Sequence, residues 1–371
     1  MFEKYLIKLG ICILNLIYFV FKWLPCNRHK ILFLSRQSNK PSIDFRMLAN
    51  QLEEDTEVKI VMITKRIEKN LKDVILINIP LLFRQMYHLA TSKVCIVDGY
   101  NISVSILHHK KKLKIFQIWH SLGPIKKFGY QSLYTSHQQM IAQEMKMHKN
   151  YDYIITASAE SQKYLKQCFG YDDSYFIKGT LPRVEYLKTR GPVNREKIYR
   201  KYPQFKYKKV VLYAPTFRNI GKDKIIDVIG KFRDTKYIFI LKLHPNMKKH
   251  FFQDSNIYFC DEFTTLQLLS IVNFVITDYS GVSFEASVLK KPIYIYAYDY
   301  QMYSQNPGIN IDLKEEWGKY FFEDIDELYD CLNASKYDKT VVDKFSRKYI
   351  PDTHNVTQKL VDEIIEKGLN A

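Results

Sequence analysis

Two histidines stand at matching places in this chain. His120 ends the run KIFQIWH and His244 ends YIFILKLH, each directly after an apolar stretch with the pattern of a strand and directly before a loop. An imidazole so placed can take a proton from a hydroxyl or, when charged, stabilise a phosphate oxygen. A strand-end histidine can also be purely structural; the recurrence of the arrangement, once in each half, favours chemistry. After His120 comes SLGPIKKFGY, in which Gly123, Pro124 and Gly129 shape a loop and Lys126 and Lys127 carry charge, so the segment reads either as a phosphate-embracing loop or as a solvated turn. Lys242 and Pro245 flank His244, the proline fixing the chain just beyond it.

Further candidates cluster at other strand ends. VVLYAPTFR closes with Thr216 and Arg218, and a planar guanidinium beside a hydroxyl can hold two phosphate oxygens or pair with a surface carboxylate. In IVNFVITDYSGVSFEASVLKKPIYIY a buried-type strand runs into a turn of Asp278, Tyr279, Ser280 and Gly281, followed by a short helix and a second apolar strand. Ser280, Gly281 and Ser283 then sit where a helix starts, so free amides, hydroxyls and the positive helix end can converge on an anion. The same Thr-Asp-x-Ser pattern is an ordinary N-cap, and both readings stand on this segment alone. Glu285, one turn into that helix, would accept from a ribose diol or face solvent; Asp299 and Tyr303 follow the next strand.

Elements able to position these residues recur as strand, loop, helix. Strands are expected at Ile31–Leu34, Val58–Ile63, Val74–Ile77, Val94–Val97, Ile115–Trp119 and Tyr153–Thr156, with a helix over Ile43–Leu52. Pro182, Gly191, Pro192 and Pro203 then interrupt a charged stretch, and the cycle restarts at Val210–Tyr213, Tyr237–Leu243, Ile257–Phe259, Phe274–Thr277 and Ile293–Tyr296. Such alternation specifies α/β units with parallel sheets. The expected organisation is an N-terminal helix over 1–28, one Rossmann-like domain over 29–192 and another over 193–371, facing a cleft at the carboxyl ends of their strands. The last helix, Val356–Lys367, can pack on either domain.

Composition narrows the partners. The 371 residues are 46% hydrophobic and carry a net charge of +17, which points to anionic partners. The basic residues are spread along the chain rather than gathered on one arginine-rich helix, which argues against nucleic acid. Cys12, Cys26, Cys95, Cys168, Cys260 and Cys331 are far apart and show no CxxC or Cys/His ligand spacing, so neither a zinc site nor a disulfide framework is expected. Leu9–Phe21 is thirteen residues without a charge, flanked by Lys4, Lys8, Lys22, Arg28 and Lys30. That is short for a span, so the expected role is a helix ended by Pro25 lying in an anionic cytoplasmic membrane face, the alternative being a helix packed on the protein's own core.

W-H-x-x-G-x-x-K (Trp119–Lys126), YAPTFR (Tyr213–Arg218), K-x-H-P (Lys242–Pro245) and TDYSG…FE…KKPI-x-x-Y (Thr277–Tyr296) occur in this order. Over about residues 30–345 the chain thereby resembles the CDP-glycerol glycerophosphotransferase family, which includes the primases and polymerases of wall teichoic acid synthesis and their CDP-ribitol relatives. The resemblance implies a GT-B-like pair of Rossmann-type domains in a membrane-associated enzyme. Such an enzyme moves a polyol phosphate from CDP-glycerol or CDP-ribitol to a hydroxyl of a lipid-linked, undecaprenyl-type acceptor and releases CMP.

Carried over by motif, His120 is the candidate general base, and His244 and Arg218 are ligands of the donor diphosphate. Thr277, Ser280 and Gly281 hold phosphate, Lys126 adds charge and Glu285 sits near the ribose, with Thr216, Lys242 and Asp299 as further cleft candidates. No cofactor is called for, and assistance by Mg2+ stays open. The chain departs from the family where YQMYSQNPGIN lacks the arginine many members have before the glycine, and where Ser121 and Leu122 replace a Gly-Thr pair. It also lacks the extra N-terminal region of large polymerases, which favours a primase or short-chain transferase. A nucleotide-sugar glycosyltransferase of the same architecture and a non-enzymatic membrane scaffold are the other readings.

Overall fold

Six parallel strands build the first sheet: β1 (Asn27–Ser35), β2 (Lys59–Thr64), β3 (Ser92–Val97), β4 (Lys114–Gln117), β5 (Tyr153–Thr156) and β6 (Phe176–Lys178), in the order β2-β1-β3-β4-β5-β6. A second parallel sheet holds β7 (Val210–Ala214), β8 (Ile238–Leu241), β9 (Ile257–Tyr258), β10 (Phe274–Thr277), β11 (Ile293–Tyr296) and β12 (Phe321–Phe322), in the order β12-β11-β10-β7-β8-β9. The computed structural model describes residues 2–66, 77–216, 222–243, 256–334 and 336–371. The strand expected at Val74–Ile77 falls almost wholly outside these, as do Arg218, His244 and Pro245.

The chain divides into two compact units, one of 1–121, 128–183 and 354–371, the other of 122–127 and 184–353. The expected division at 192/193 falls inside the Gly191–Lys201 helix, within the second unit. The C-terminal segment returns to the first unit: Gly368 lies so close to the sheet that a Cβ there would come within 2.8 Å of Val94 Cγ2. In each unit the central strands are buried on both faces, as helix-covered parallel sheet requires. All five residues of β7 and all six of β3 are buried. Ser42 starts the Ile43–Asp55 helix by accepting the Phe45 amide, which sets Asp44 in the first turn facing inward at 2% exposure.

The N-terminal helix, Phe2–Phe21, is long and apolar enough to cross a membrane, yet one of its faces belongs to the first unit's core. Tyr18 is fully buried, and Ile11, Leu14, Ile17 and Phe21 pack against the same cluster as β1 and β3. Asn15 donates from Nδ2 to Ile106 O at 3.0 Å and accepts from His108 N at 2.8 Å. The opposite face leaves Phe2, Tyr5, Leu6, Leu9, Leu16, Phe19 and Val20 more than half exposed.

In the second unit, the residues after His120 form an extended rung and not a solvated turn. Lys126 bridges Ile309 in antiparallel fashion, Asn310 N donates to Ile125 O at 2.7 Å and Lys127 N to Gly308 O at 3.0 Å. Gly123 is required there, since a Cβ would lie 2.2 Å from the Phe284 ring.

Candidate active site

In an open parallel sheet, ligands bind where neighbouring strands lead the chain away in opposite directions, leaving a crevice at their carboxyl ends. In the first unit those neighbours are β1 and β3; in the second they are β7 and β10. The residues following these four strands, together with those after β4, hold most of the chemistry.

In the first unit His120 directs Nδ1 at the carbonyl oxygen of Asp98, 2.9 Å away, with the side-chain amide of Gln37 3.4 Å from the same nitrogen. A ring nitrogen facing a carbonyl must carry the proton, so Nδ1–H donates and Nε2 keeps its lone pair. The imidazole is not near its ordinary pKa: burial pushes it down to about 4, the carbonyl of Asp98 opposing and Arg183 reinforcing the shift. At neutral pH the side chain is a neutral base oriented by the backbone.

Around it lie two carboxyls in different states. Asp44 accepts from the Arg183 amide at 2.8 Å and from Nε at 2.9 Å, a buried pair that closes the end of the unit. Asp98, 3% exposed, leaves Oδ1 without a hydrogen-bond partner, and burial raises its carboxyl to about 6 against the Ser35 hydroxyl. Trp119 adopts φ +58, the left-handed region that a bulky side chain enters only under constraint. Its amide donates to Gln117 Oε1 at 2.9 Å and its ring stacks on Phe128, centroids 4.1 Å apart at 12°. A cavity of about 460 Å³ opens beside this stack, lined among others by Arg36, Gln37, Arg66 and Tyr100.

In the second unit the turn after β10 is built around Asp278, 1% exposed, whose two carboxylate oxygens each accept from the Thr216 amide at 2.9 Å. Asp278 therefore ties the loop after β10 to the loop after β7 and does not cap the following helix. Gly281 begins the Val282–Val288 helix with no side-chain cap, and the Ser280 hydroxyl approaches the Val282 amide only at 3.4 Å. Tyr279 donates from its hydroxyl to Asp299 Oδ1 at 3.1 Å and stacks on Tyr303 at 3.8 Å, with the Lys126 ammonium 5.9 Å from the Tyr303 ring.

Two sequence candidates have other work. Thr277 is fully buried and gives its hydroxyl to Ala214 O at 2.8 Å, so it joins β10 to β7 and cannot touch a phosphate. Lys242 donates to Cys260 O at 3.1 Å and Phe263 O at 2.8 Å, clamping the loop after β9. Glu285 is buried, which removes the solvent-facing alternative. Residues the sequence reading passed over are Asp98, Arg36, Gln37 and Arg66. A signal was present: SRQSNKPS follows the first strand of a parallel unit, where a switch-point crevice must fall.

A sequence model of the CDP-Glycerol:Poly(glycerophosphate) glycerophosphotransferases matches residues 16–366. The chain belongs to that family. It is 27% identical over 367 residues to the teichoic acid ribitol-phosphate primase of Bacillus spizizenii, covering 94% of this chain and 93% of that protein. It is 33% identical over 241 residues to the teichoic acid glycerol-phosphate primase of Bacillus subtilis, covering 62% of this chain and 61% of that protein. The solved structure of the wall teichoic acid polymerase TagF superimposes with a TM-score of 0.72 at 15% identity, over 99% of this chain and 97% of that one. At that identity the likeness is one of fold, the GT-B-like pair of Rossmann-type units expected from the sequence. As a glycerophosphotransferase-family member the protein is an enzyme, a transferase of substituted phosphate groups.

Proposed function

We infer that the protein transfers a polyol phosphate, glycerol phosphate first and ribitol phosphate second, from a CDP-polyol to a hydroxyl of a lipid-linked acceptor in wall teichoic acid synthesis, releasing CMP. The observation that carries this reading is the family match across nearly the whole chain, and His120 supplies a mechanism. Its Nε2 takes the proton from the acceptor hydroxyl as that oxygen attacks the β-phosphorus of the donor. The bond from that phosphorus to the CMP oxygen breaks, and CMP leaves with the electron pair. Such a reaction needs positioning and charge stabilisation more than covalent catalysis.

The donor belongs with the second unit, where the turn at Ser280 and Gly281, anchored through Asp278 and Thr216, offers backbone amides to a diphosphate. Lys126, Arg218 and His244 add positive charge, Glu285 serves the ribose and Asp299 orders the Tyr279–Tyr303 stack. The exposed face of the N-terminal helix, with Lys4 and Lys8 on the helix and Lys22 just past its end, suits an anionic membrane surface at the cytoplasmic face. Purified protein incubated with each CDP-polyol and a lipid-linked disaccharide analogue should release CMP and give a product heavier by one polyol phosphate. Turnover with UDP- or GDP-sugars alone would replace this reading with a glycosyltransferase.

A further inference from the structure

The chain changes unit directly after the residues that carry His120. Residues 122–127 belong to the second unit, while 121 and 128 belong to the first, so this segment is a strap set into one unit with both ends in the other. Its ends are pinned together: Trp119 stacks on Phe128, and both rings meet Phe169 edge-on at 5.3 Å. Its middle is pinned within the second unit by backbone. Asn310 N donates to Ile125 O at 2.7 Å, Lys127 N to Gly308 O at 3.0 Å and Asn310 Nδ2 to Lys126 O at 3.2 Å. Ahead of these bonds Gly123 lies against the Phe284 ring, where a Cβ would come within 2.2, 2.4 and 2.8 Å of three ring carbons. Phe284 has no room to yield: fully buried, it packs on Phe345 at 5.0 Å and on Tyr349 at 5.5 Å, and its amide donates to Gly281 O at 3.0 Å. On the other side of His120 the chain is fixed by Ile118 N, which donates to Val97 O at 2.9 Å.

Between these anchors Trp119 holds φ +58, a conformation that a bulky residue keeps only where the surrounding structure over-determines it. Relaxation of Trp119 toward an ordinary φ is a rotation of the chain just before His120, and it carries the imidazole away from Asp98 O. The strap opposes that rotation from the far side. We propose that Phe284 is a positioning residue for His120: by seating Gly123 it fixes the end of the short segment that carries the imidazole, and so keeps Nδ1 on the Asp98 carbonyl with Nε2 directed at the acceptor hydroxyl. The proposal rests on the polyol-phosphate transferase reading, in which His120 is the base, and adds to it a residue that acts on the base through the chain alone. Phe284 takes no proton and holds no ligand in this role.

Two variants disturb the seat from opposite sides. Gly123→Ala drives a methyl group into the Phe284 ring, and Phe284→Leu keeps the site apolar but removes the flat face. Gly123→Ala should lower kcat by about tenfold to a hundredfold, the loss expected when a reacting group is displaced by an ångström, with KM for the CDP-polyol unmoved. Phe284→Leu should act in the same direction and less, and the double variant, where the smaller side chain leaves room for the methyl, should recover most of the lost kcat. A purely structural contact would change the unfolding midpoint and nothing at His120, so the second readout is the titration of His120 itself, followed by NMR in histidine-labelled protein and assigned by its absence in His120→Gln. In wild type burial holds the midpoint down at about 4, with the Asp98 carbonyl opposing, and Arg183 and Asp44 are the charged groups that act on the ring. In Gly123→Ala the midpoint should rise toward the ordinary histidine value as the ring swings into water, and the acid limb of kcat/KM should rise with it. If Gly123→Ala fails to fold, Phe284→Leu carries both readouts. A folded variant that keeps the wild-type His120 midpoint overturns the proposal, as does a loss confined to KM for the CDP-polyol, which would assign the strap to Lys126. Absence of CMP release from either CDP-polyol in wild type is a separate failure: it removes the transferase reading and the positioning role with it.

Discussion

The two units use the same device, a crevice at the reversal point of a parallel sheet, and fill it oppositely. In the first unit polar atoms beside the crevice have capacity unspent: Nε2 of His120 and the buried Nε of Arg36 and Oδ1 of Asp98 have no hydrogen-bond partner among the described residues. In the second unit the polar side chains are used internally: Asp278 holds the Thr216 amide and Thr277 holds the Ala214 carbonyl. Among the described residues of that turn, the backbone at Ser280 and Gly281 is what can be presented. Under the proposed function the first unit supplies the reactive side chain, and the second a turn whose amides are offered to an anion.

The largest effect that can break this contrast is at His120. His120→Ala should lower kcat by about 10²–10⁴-fold, the usual contribution of a general base, while thermal stability changes little. Because burial holds the imidazole down at about 4, the free enzyme should keep its base active well below neutrality. Protonation on descending through about pH 4 removes the lone pair, so kcat/KM should fall on that side and not near 6.5. Steady-state rates across pH 3.5–8 test both statements, and an acid limb at 6.5 that disappears in His120→Ala would show the ring to be solvated in solution.

A second pair of variants sets the two buried aspartates against each other. Asp278→Ala strips the Thr216 amide of both its acceptors and should cost about 1–3 kcal/mol, seen as a lower midpoint in urea, and should weaken donor binding as the turn loosens. Asp98→Asn should do the reverse. The Asp98 carboxyl is raised to about 6 by burial, so folding favours its protonated form. That penalty is absent below the unfolded pKa near 3.8, grows as pH rises and is complete above about 6. Asp98→Asn should therefore stabilise at pH 7 by about 1–3 kcal/mol and by almost nothing at pH 4. Equal destabilisation by both variants would mean that Asp98 Oδ1 has a partner in solution and that the contrast between the crevices is overstated.

Much of this frame was legible in the sequence because it depends on local pattern. Strands β5, β10 and β11 coincide with their apolar runs to the residue, and Ser42 marks the helix that carries Asp44. Two short strands, β6 at Phe176–Lys178 and β12 at Phe321–Phe322, were not expected, although the equally short β9 at Ile257–Tyr258 was, within the run Ile257–Phe259. Side-chain roles followed another rule. His120 could be singled out by its strand-end position, but its pKa is set by the Asp98 carbonyl and by burial among segments distant in the chain. Thr277 and Lys242 looked like ligands because they are polar and close a strand, yet their partners, Ala214 O and the carbonyls of Cys260 and Phe263, lie on other elements. Arg36 and Gln37 were hidden in a stretch that composition alone marks as a loop; sheet order gives them a place.

The smallest expected effect concerns the surfaces of the two units. The first presents the continuous outer face of the N-terminal helix, with Leu6, Leu9, Leu16, Phe19 and Val20 all more than half exposed. The second exposes Val193, Tyr207, Ile226 and Met302, which are scattered along the sequence. Deleting the helix does not test its outer face, because Tyr18 is fully buried and Asn15 is bonded to Ile106 and His108, so truncation opens the core. Changing only the outer face does: Leu9→Ser with Phe19→Ser should leave the unfolding midpoint within about 0.5 kcal/mol of wild type, as surface changes usually do. Each lost apolar contact with lipid is worth about 1–3 kcal/mol, so binding to anionic vesicles should drop at least tenfold, while turnover of a soluble acceptor persists. Undiminished vesicle binding would assign the exposed face to something other than a bilayer. Loss of soluble-acceptor turnover with the fold intact would make the helix part of the first unit's crevice.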